Sequence, residues 1–119
     1  MTDARQLVGA WGEQRAADHL LTAGMVLLDR NWRCRAGEID IIARDGDVLV
    51  FVEVKTRRGD AFGAPVDAVD SRKTARLRQL AAQWLAESGL RPTQVRFDVV
   101  SVTRRQAGGV RIEHLRNAF

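Results

Sequence analysis

What most constrains this chain is a pair of apolar-rich segments, Glu38 to Arg44 and Val48 to Thr56, divided by Asp45-Gly46-Asp47. An Asp-Gly step between two runs rich in Ile, Val and Phe is a strong hairpin signal. If Asp45-Gly46 forms a two-residue loop, Arg44 opposes Asp47 and Asp40 opposes Phe51. Shifting the loop to Gly46-Asp47 sets Asp40 directly opposite Glu53. Opposed residues point the same way and side chains alternate along a strand. In either register Glu38, Asp40, Glu53 and Lys55 therefore project from one face. Ile39, Ile41, Val48, Val50, Val52 and Val54 are expected on the other, while Ile42, Leu49 and Phe51 share or flank the acidic side. Both faces are thus apolar enough to be buried. Like-charged carboxylates in such a strand pair are opposed by desolvation and mutual repulsion, so the arrangement asks for a counter-charge.

The remaining elements fall around this hairpin. Leu7, Ala10, Trp11, Ala17, Leu20 and Leu21 recur at helical spacing and Gly24 is a natural stop, which predicts a helix over Asp3 to Ala23. Met25 to Cys34 reads as a strand that Asp29 to Asn31 would break or bend. Arg57 to Asp70, with Gly59, Gly63 and Pro65, reads as a long loop suited to ordering on a ligand. Leu77, Leu80, Ala81, Trp84 and Leu85 define a helix over Ser71 to Glu87. Val95 to Val102 is a strand, and after the Gly108-Gly109 turn Val110 to Leu115 pairs with it. The order is α-β-β-β-α-β-β. Tightly joined strands must run antiparallel, whereas the strand after the second helix is free to return parallel. The expectation is one α/β domain over residues 1–119, a mixed central sheet flanked by helices.

Composition narrows the setting. No stretch approaches the ~20 apolar residues of a membrane span, and Met1 to Arg5 lacks the basic-then-apolar pattern of a leader, so a cytoplasmic protein without a membrane partner is expected. The lone Cys34 cannot form an internal disulfide or a cysteine-rich zinc site and reads as a packing residue. A net charge of +4 makes a polyanion a plausible partner. Of the 19 basic residues only Lys55 and Lys73 are lysines, so each invites a specific question; codon bias is the plain alternative. Trp11, Trp32 and Trp84 occupy core-compatible positions, and His19 and His114 are isolated, with no evident ligand or triad geometry.

A magnesium or manganese ion suits the oxygen ligands of Asp40 and Glu53, and would bridge a phosphate oxygen while lowering the pKa of an attacking water. Lys55 would orient that water or stabilise charge developing on phosphorus. Alone, Glu53-x-Lys55 is an ordinary solvated alternation; joined to Asp40 across a buried hairpin it reads as a site. Glu13, one turn from Ala10 and Ala17, lies close to the inward stripe of its helix, where an unpaired carboxylate is costly. Glu38 is open to three roles: ligation, support of the site, or pairing with an arginine. Arg57 and Arg58 follow the motif, and Arg72, Lys73, Arg76 and Arg78 dress the second helix, where they would seat a nucleic-acid backbone or simply form a solvated face.

These residues resemble a family. Gly37-Glu38-Ile39-Asp40-Ile41-Ile42-Ala43 and Phe51-Val52-Glu53-Val54-Lys55-Thr56-Arg57 look like the YraN-type bacterial family, similar to archaeal Holliday junction resolvases of the PD-(D/E)xK, restriction-endonuclease-like superfamily. Gly12-Glu13, Asn31-Trp32-Arg33, the Lys73 helix and Arg96 to Val100 extend the likeness through nearly the whole chain. The resemblance implies Asp40, Glu53 and the Val54 carbonyl as metal ligands, Lys55 as catalytic lysine and Glu13 as the helix-borne acid of the resolvase-like branch. Ile39 stands where many members carry proline. The implied activity is a divalent-metal-dependent (Mg2+ or Mn2+) endonuclease cutting DNA, branched or damaged DNA included, with symmetric two-strand cutting favouring a homodimer. Two other readings compete with it: a noncatalytic nucleic-acid-binding module of a repair or processing assembly, and a hydrolase of small phosphorylated compounds, for which no Gly-rich phosphate loop is evident.

Overall fold

The computed structural model describes residues 4–59 and 71–119. Within them lie α1 (Ala4–Thr22), β1 (Val26–Cys34), β2 (Gly37–Asp45), β3 (Val48–Arg58), α2 (Ser71–Ser88), β4 (Gln94–Arg104) and β5 (Val110–Leu115). The strands form one five-stranded sheet in the order β1-β2-β3-β4-β5. Each short connection gives an antiparallel pair, while β3 and β4, separated by α2, run parallel. This is the mixed, helix-flanked α/β pattern expected of a restriction-endonuclease-like domain.

The alternation of β3 divides the core in two. Val50 and Val52 pack with Ile41, Val100 and Val102 against Ala16, Ala17 and Leu20 of α1. Leu49 and Phe51 pack with Ile42 and Phe97 against Leu77, Leu80, Ala81 and Trp84 of α2. A strand covered on both faces needs a continuous apolar run, and Leu49 to Val52 is fully buried. Helix α1 ends in a Schellman arrangement. Gly24 takes φ 91°, its N–H donates to Leu21 O at 3.0 Å, and Met25 N–H donates to Leu20 O at 3.0 Å. All three tryptophans contribute to packing: Trp84 meets Phe51 edge-on, and Trp11 and Trp32 lie against the two clusters. Cys34 packs beside the α2 cluster.

Three expectations need correction. The loop expected from Arg57 begins later, because pairing with β4 continues to Arg58↔Arg104 and Gly59 N–H still donates to Arg104 O at 2.8 Å. Residues 60–70 of that expected loop lie outside the described residues. Of the two loops the Asp45-Gly46-Asp47 turn admits, the β2–β3 hairpin uses Gly46-Asp47, with Asp45 opposite Val48. Gly46 has φ 61°, which suits the first loop position of a type II′ turn. Ile39 joins the α2-side cluster instead of following Ile41, and the alternation slips beside Asn31, which sits at φ 53°. That bend in β1 was legible at Asp29 to Asn31, and a register shift falls between Leu27 and Asp29. Finally, His19 and His114 are not isolated: their rings approach at 3.2 Å. Among the described residues, no helix is long and apolar enough to cross a membrane.

Candidate active site

The site begins where β2 and β3 part. Their paired register runs from Asp45↔Val48 to Ile41↔Val52 and stops, although both strands continue. One step further the same register sets Asp40 opposite Glu53. The Val54 N–H, left without a strand partner on this side, donates to Asp40 Oδ2 at 2.8 Å. The N–H and C=O of one residue leave the same edge of an extended strand, so the Val54 carbonyl opens on the same gap. Asp40 thus bridges the fork between the two strands, with a carbonyl oxygen beside it.

Its electrostatic surroundings are one-sided. Burial pushes the Asp40 carboxyl up, the Val54 N–H pulls it down, and the negative charges of Glu53, Glu13 and Glu38 push it up again, to about 7. Glu53, one step across the fork, has cations instead. Lys73 Nζ lies 2.6 Å from Glu53 Oε1 and Lys55 Nζ lies 3.6 Å from the same oxygen. The hydrogen bond from Lys73, with burial and the charge of Lys73, depresses the Lys55 pKa against the pull of Glu53. Burial also weighs on Lys73, but its bonds to Glu53 and Lys55 and the charge of Asp40 outweigh this and raise its pKa.

Helix α2 closes the site from one side. Glu38, Asp40, Glu53, Lys73 and Arg76 border an open groove of about 250 Å³ floored by Leu77 and Leu80. Lys73, expected to seat a nucleic-acid backbone or to lie on a solvated helix face, therefore stands within the acidic cluster. Glu38 takes the arginine-paired role, with Arg33 Nε 3.1 Å from its Oε2, at an exposed position. Helix α1 approaches from the opposite face, and its closeness depends on Gly12. A Cβ at residue 12 would fall 1.9 Å from Thr56 Oγ1 and 2.8 Å from Thr56 Cβ. Glycine inside a helix costs about 1 kcal/mol relative to alanine. Here it lets the helix lie on β3 beside Lys55 and bring the half-buried Glu13 within electrostatic reach of Asp40. Arg57 and Arg58 end β3 alongside Thr103 and Arg104, so the basic run extends onto β4. Arg72 and Arg76 are exposed on α2.

A second charged cluster, missed in the sequence, lies on the α1 face. Asp98 is fully buried, receives Arg96 Nε at 2.9 Å and the Asn117 N–H at 2.9 Å, and meets His114 Nε2 at 2.7 Å. Burial raises its pKa, but His114, Arg96 and Asn117 together bring it below the usual carboxylate value. His114 Nδ1 in turn faces His19 Nε2 at 3.2 Å, and burial, His114 and Arg116 lower the His19 pKa. The sequence signal was Asp98 itself, a charge inside the apolar run Val95 to Val102.

The donor set suits a hard divalent cation. Asp40, Glu53 and the Val54 carbonyl offer only oxygen, and Asp40 is short of positive charge. Among the described residues no three His, Cys, Asp or Glu side chains gather closely enough to hold a metal. A cation held by Asp40 and Glu53 would therefore draw most of its shell from backbone oxygen, water or a bound anion.

Fold and site together define a mixed α/β domain with an acid-and-lysine cluster on its central strands. The chain belongs to the family described as "Uncharacterised protein family UPF0102", whose model matches residues 12–102, a span that includes Glu13, Asp40, Glu53, Lys55, Lys73 and Asp98. A UPF0102 protein of Frankia alni is 56% identical over 116 residues, covering 98% of this chain and 97% of that protein. One from Acidothermus cellulolyticus is 52% identical over 126 residues, covering 98% and 96%. A third, from Rhodococcus jostii, is 53% identical over 112 residues, covering 94% and 95%.

Proposed function

We propose that this protein is a cytoplasmic, divalent-metal-dependent endonuclease that hydrolyses phosphodiester bonds in DNA, branched or damaged DNA being its substrate class. The observation that carries this reading is the carboxylate of Asp40 set across a strand fork from Glu53, with Lys55 Nζ 3.6 Å from Glu53 Oε1. Asp40, Glu53 and the Val54 carbonyl would hold Mg2+ or Mn2+, which when bound supplies an activated water and charge neutralisation at phosphorus. Glu13 would complete the shell through water. Lys55, its pKa depressed, is suited to exchanging a proton with the attacking water or to meeting developing charge. Arg57, Arg58, Arg72 and Arg76 would receive the backbone phosphates, where their forked donors give register without sequence information. A twofold homodimer would present two such sites to two strands.

A second reading, a noncatalytic nucleic-acid-binding module, is favoured by one observation: Glu53 is already neutralised by Lys73 at 2.6 Å. A cleavage screen separates the two. Native protein with Mg2+ or Mn2+ is offered junction, flap, single-stranded and duplex DNA and RNA beside Asp40→Ala and Lys55→Ala. Metal-dependent cutting that both substitutions abolish is the expected result. Cutting that survives both removes the mechanism, and tight binding with no cutting under any condition leaves the module.

A further inference from the structure

Both lysines of this arginine-rich chain reach the same carboxylate oxygen, Glu53 Oε1. The closer is not the strand lysine. Lys73, from the first turn of α2, lies at 2.6 Å, against 3.6 Å for Lys55. Chemistry favours lysine here, since an ammonium is a compact point charge on a flexible stem that can leave one oxygen for another a few ångströms away. The charge inventory gives a reason for such movement. Asp40 and Glu53 as carboxylates balance Lys55 and Lys73 as ammoniums. A dication added to that set leaves it doubly positive, in a groove floored by Leu77 and Leu80. Releasing one ammonium from the carboxylates frees an oxygen for the metal, and a phosphodiester offers that ammonium a new anionic partner.

Resting on the metal-dependent reading above, we propose that Lys73 is an exchangeable counter-ion: it holds Glu53 while the site lacks a divalent cation, yields that carboxylate to the cation, and moves onto a non-bridging oxygen of the bound phosphodiester. Lys73 then links metal binding to nucleic-acid binding. Linkage is reciprocal, so DNA tightens the metal by the factor that metal tightens DNA. Lys55, fixed to β3 two residues from Glu53, keeps its place beside the reacting centre. Arg76, one turn along α2 on the same groove, receives the phosphate alongside the released ammonium.

The test reads metal affinity rather than turnover. Mn2+ is titrated calorimetrically into native protein, Lys73→Gln, Lys73→Met and Lys73→Arg, each first shown to melt cooperatively. Removing a competing cation should tighten Mn2+ by about fivefold in the Gln and Met variants, the factor a partly exposed ion pair is worth, while Arg, which keeps the pair, stays near native. A duplex with phosphorothioate linkages should tighten Mn2+ in native protein and much less in Lys73→Gln. If the uncharged variants bind Mn2+ equally or more weakly, Lys73 steadies Glu53 for the metal and the exchange is wrong, with the metal site intact. If neither native protein nor any variant takes up Mn2+, the metal site and the exchange fall together.

Discussion

Two aspartates inside this sheet meet opposite fates. Asp98 is the more completely enclosed, yet its pKa falls, because Arg96, His114 and the Asn117 N–H surround its oxygens. Asp40 is partly exposed, yet its pKa climbs to about 7, because one backbone N–H is set against burial and three acids. Burial raises both; partners decide the sign. A carboxylate with its full set of donors is a structural fixture, here tying β4 to β5 and the chain beyond it. One left short of cations among other acids resists ionising in the folded state, a penalty that a bound cation would relieve.

Substitution should separate them most sharply. Asp98→Asn removes the charge that Arg96 and His114 face in a closed interior, and is expected to lower stability to urea by about 3–5 kcal/mol. Asp40→Asn, measured beside it at pH 8, should be neutral or stabilising, since it deletes a carboxylate the fold resists ionising. Equal losses at both positions would erase the distinction.

Helix α1 supplies the next test, because Glu13 bears on Asp40 and not on Asp98. Gly12→Ala forces Cβ into Thr56, and the helix must lift or the strand must shift. The expected loss is about 2 kcal/mol in thermal or urea unfolding, overpacking partly offset by alanine's better helix propensity. As Glu13 retreats, the Asp40 titration followed by NMR should move down from about 7. An unmoved titration would detach α1 from the site.

Much of this was legible in the sequence, and the gaps have physical reasons. Period-two alternation and the Asp45-Gly46-Asp47 turn placed Asp40, Glu53 and Lys55 on one face, because those signals are local. The same turn admits two loops, and only the stop of pairing at Ile41↔Val52 leaves Asp40 opposite Glu53 at an open fork. Lys73 stands out in the sequence only as one of two lysines; its approach to Glu53 depends on how α2 docks. His19 and His114 lie 95 positions apart, so no spacing rule finds them. Arg57 and Arg58 belong to β3 because a parallel neighbour extends it, information that resides in β4.

Acidity sharpens the contrast through its sign. The folded-state pKa of Asp40 lies above its ordinary value, so its contribution to stability is full below about pH 4 and is lost as pH rises to about 7. For Asp98 the folded value is depressed; its contribution is present above the ordinary carboxylate range and is lost as pH falls through the lowered value. His19, also depressed, gives up its share as pH falls below about 6.5, in the direction opposite to Asp40. The difference between native protein and Asp40→Asn isolates the first of these. Unfolding free energies taken from pH 4 to 8 should diverge by on the order of 2 kcal/mol, with the native protein losing ground as pH rises. A flat difference would mean that Asp40 ionises without penalty.

Metal offers the smallest effect and the most pointed one. A dication bound only by the folded site adds RT ln(1 + [L]/Kd), about 1.4 kcal/mol at tenfold Kd, or about 5 °C in Tm for a chain of this size. The gain should be larger at pH 8 than at pH 5.5, because near and below pH 7 the metal must first displace a proton from Asp40. Asp40→Ala should blunt the rise at both values. His114→Gln, which touches Asp98 across 2.7 Å and makes no contact with Asp40 among the described residues, should lower the starting Tm yet keep the full metal response. If instead the response vanishes with His114 and survives loss of Asp40, the cation sits on the α1 face, and the two aspartates have been assigned the wrong way round.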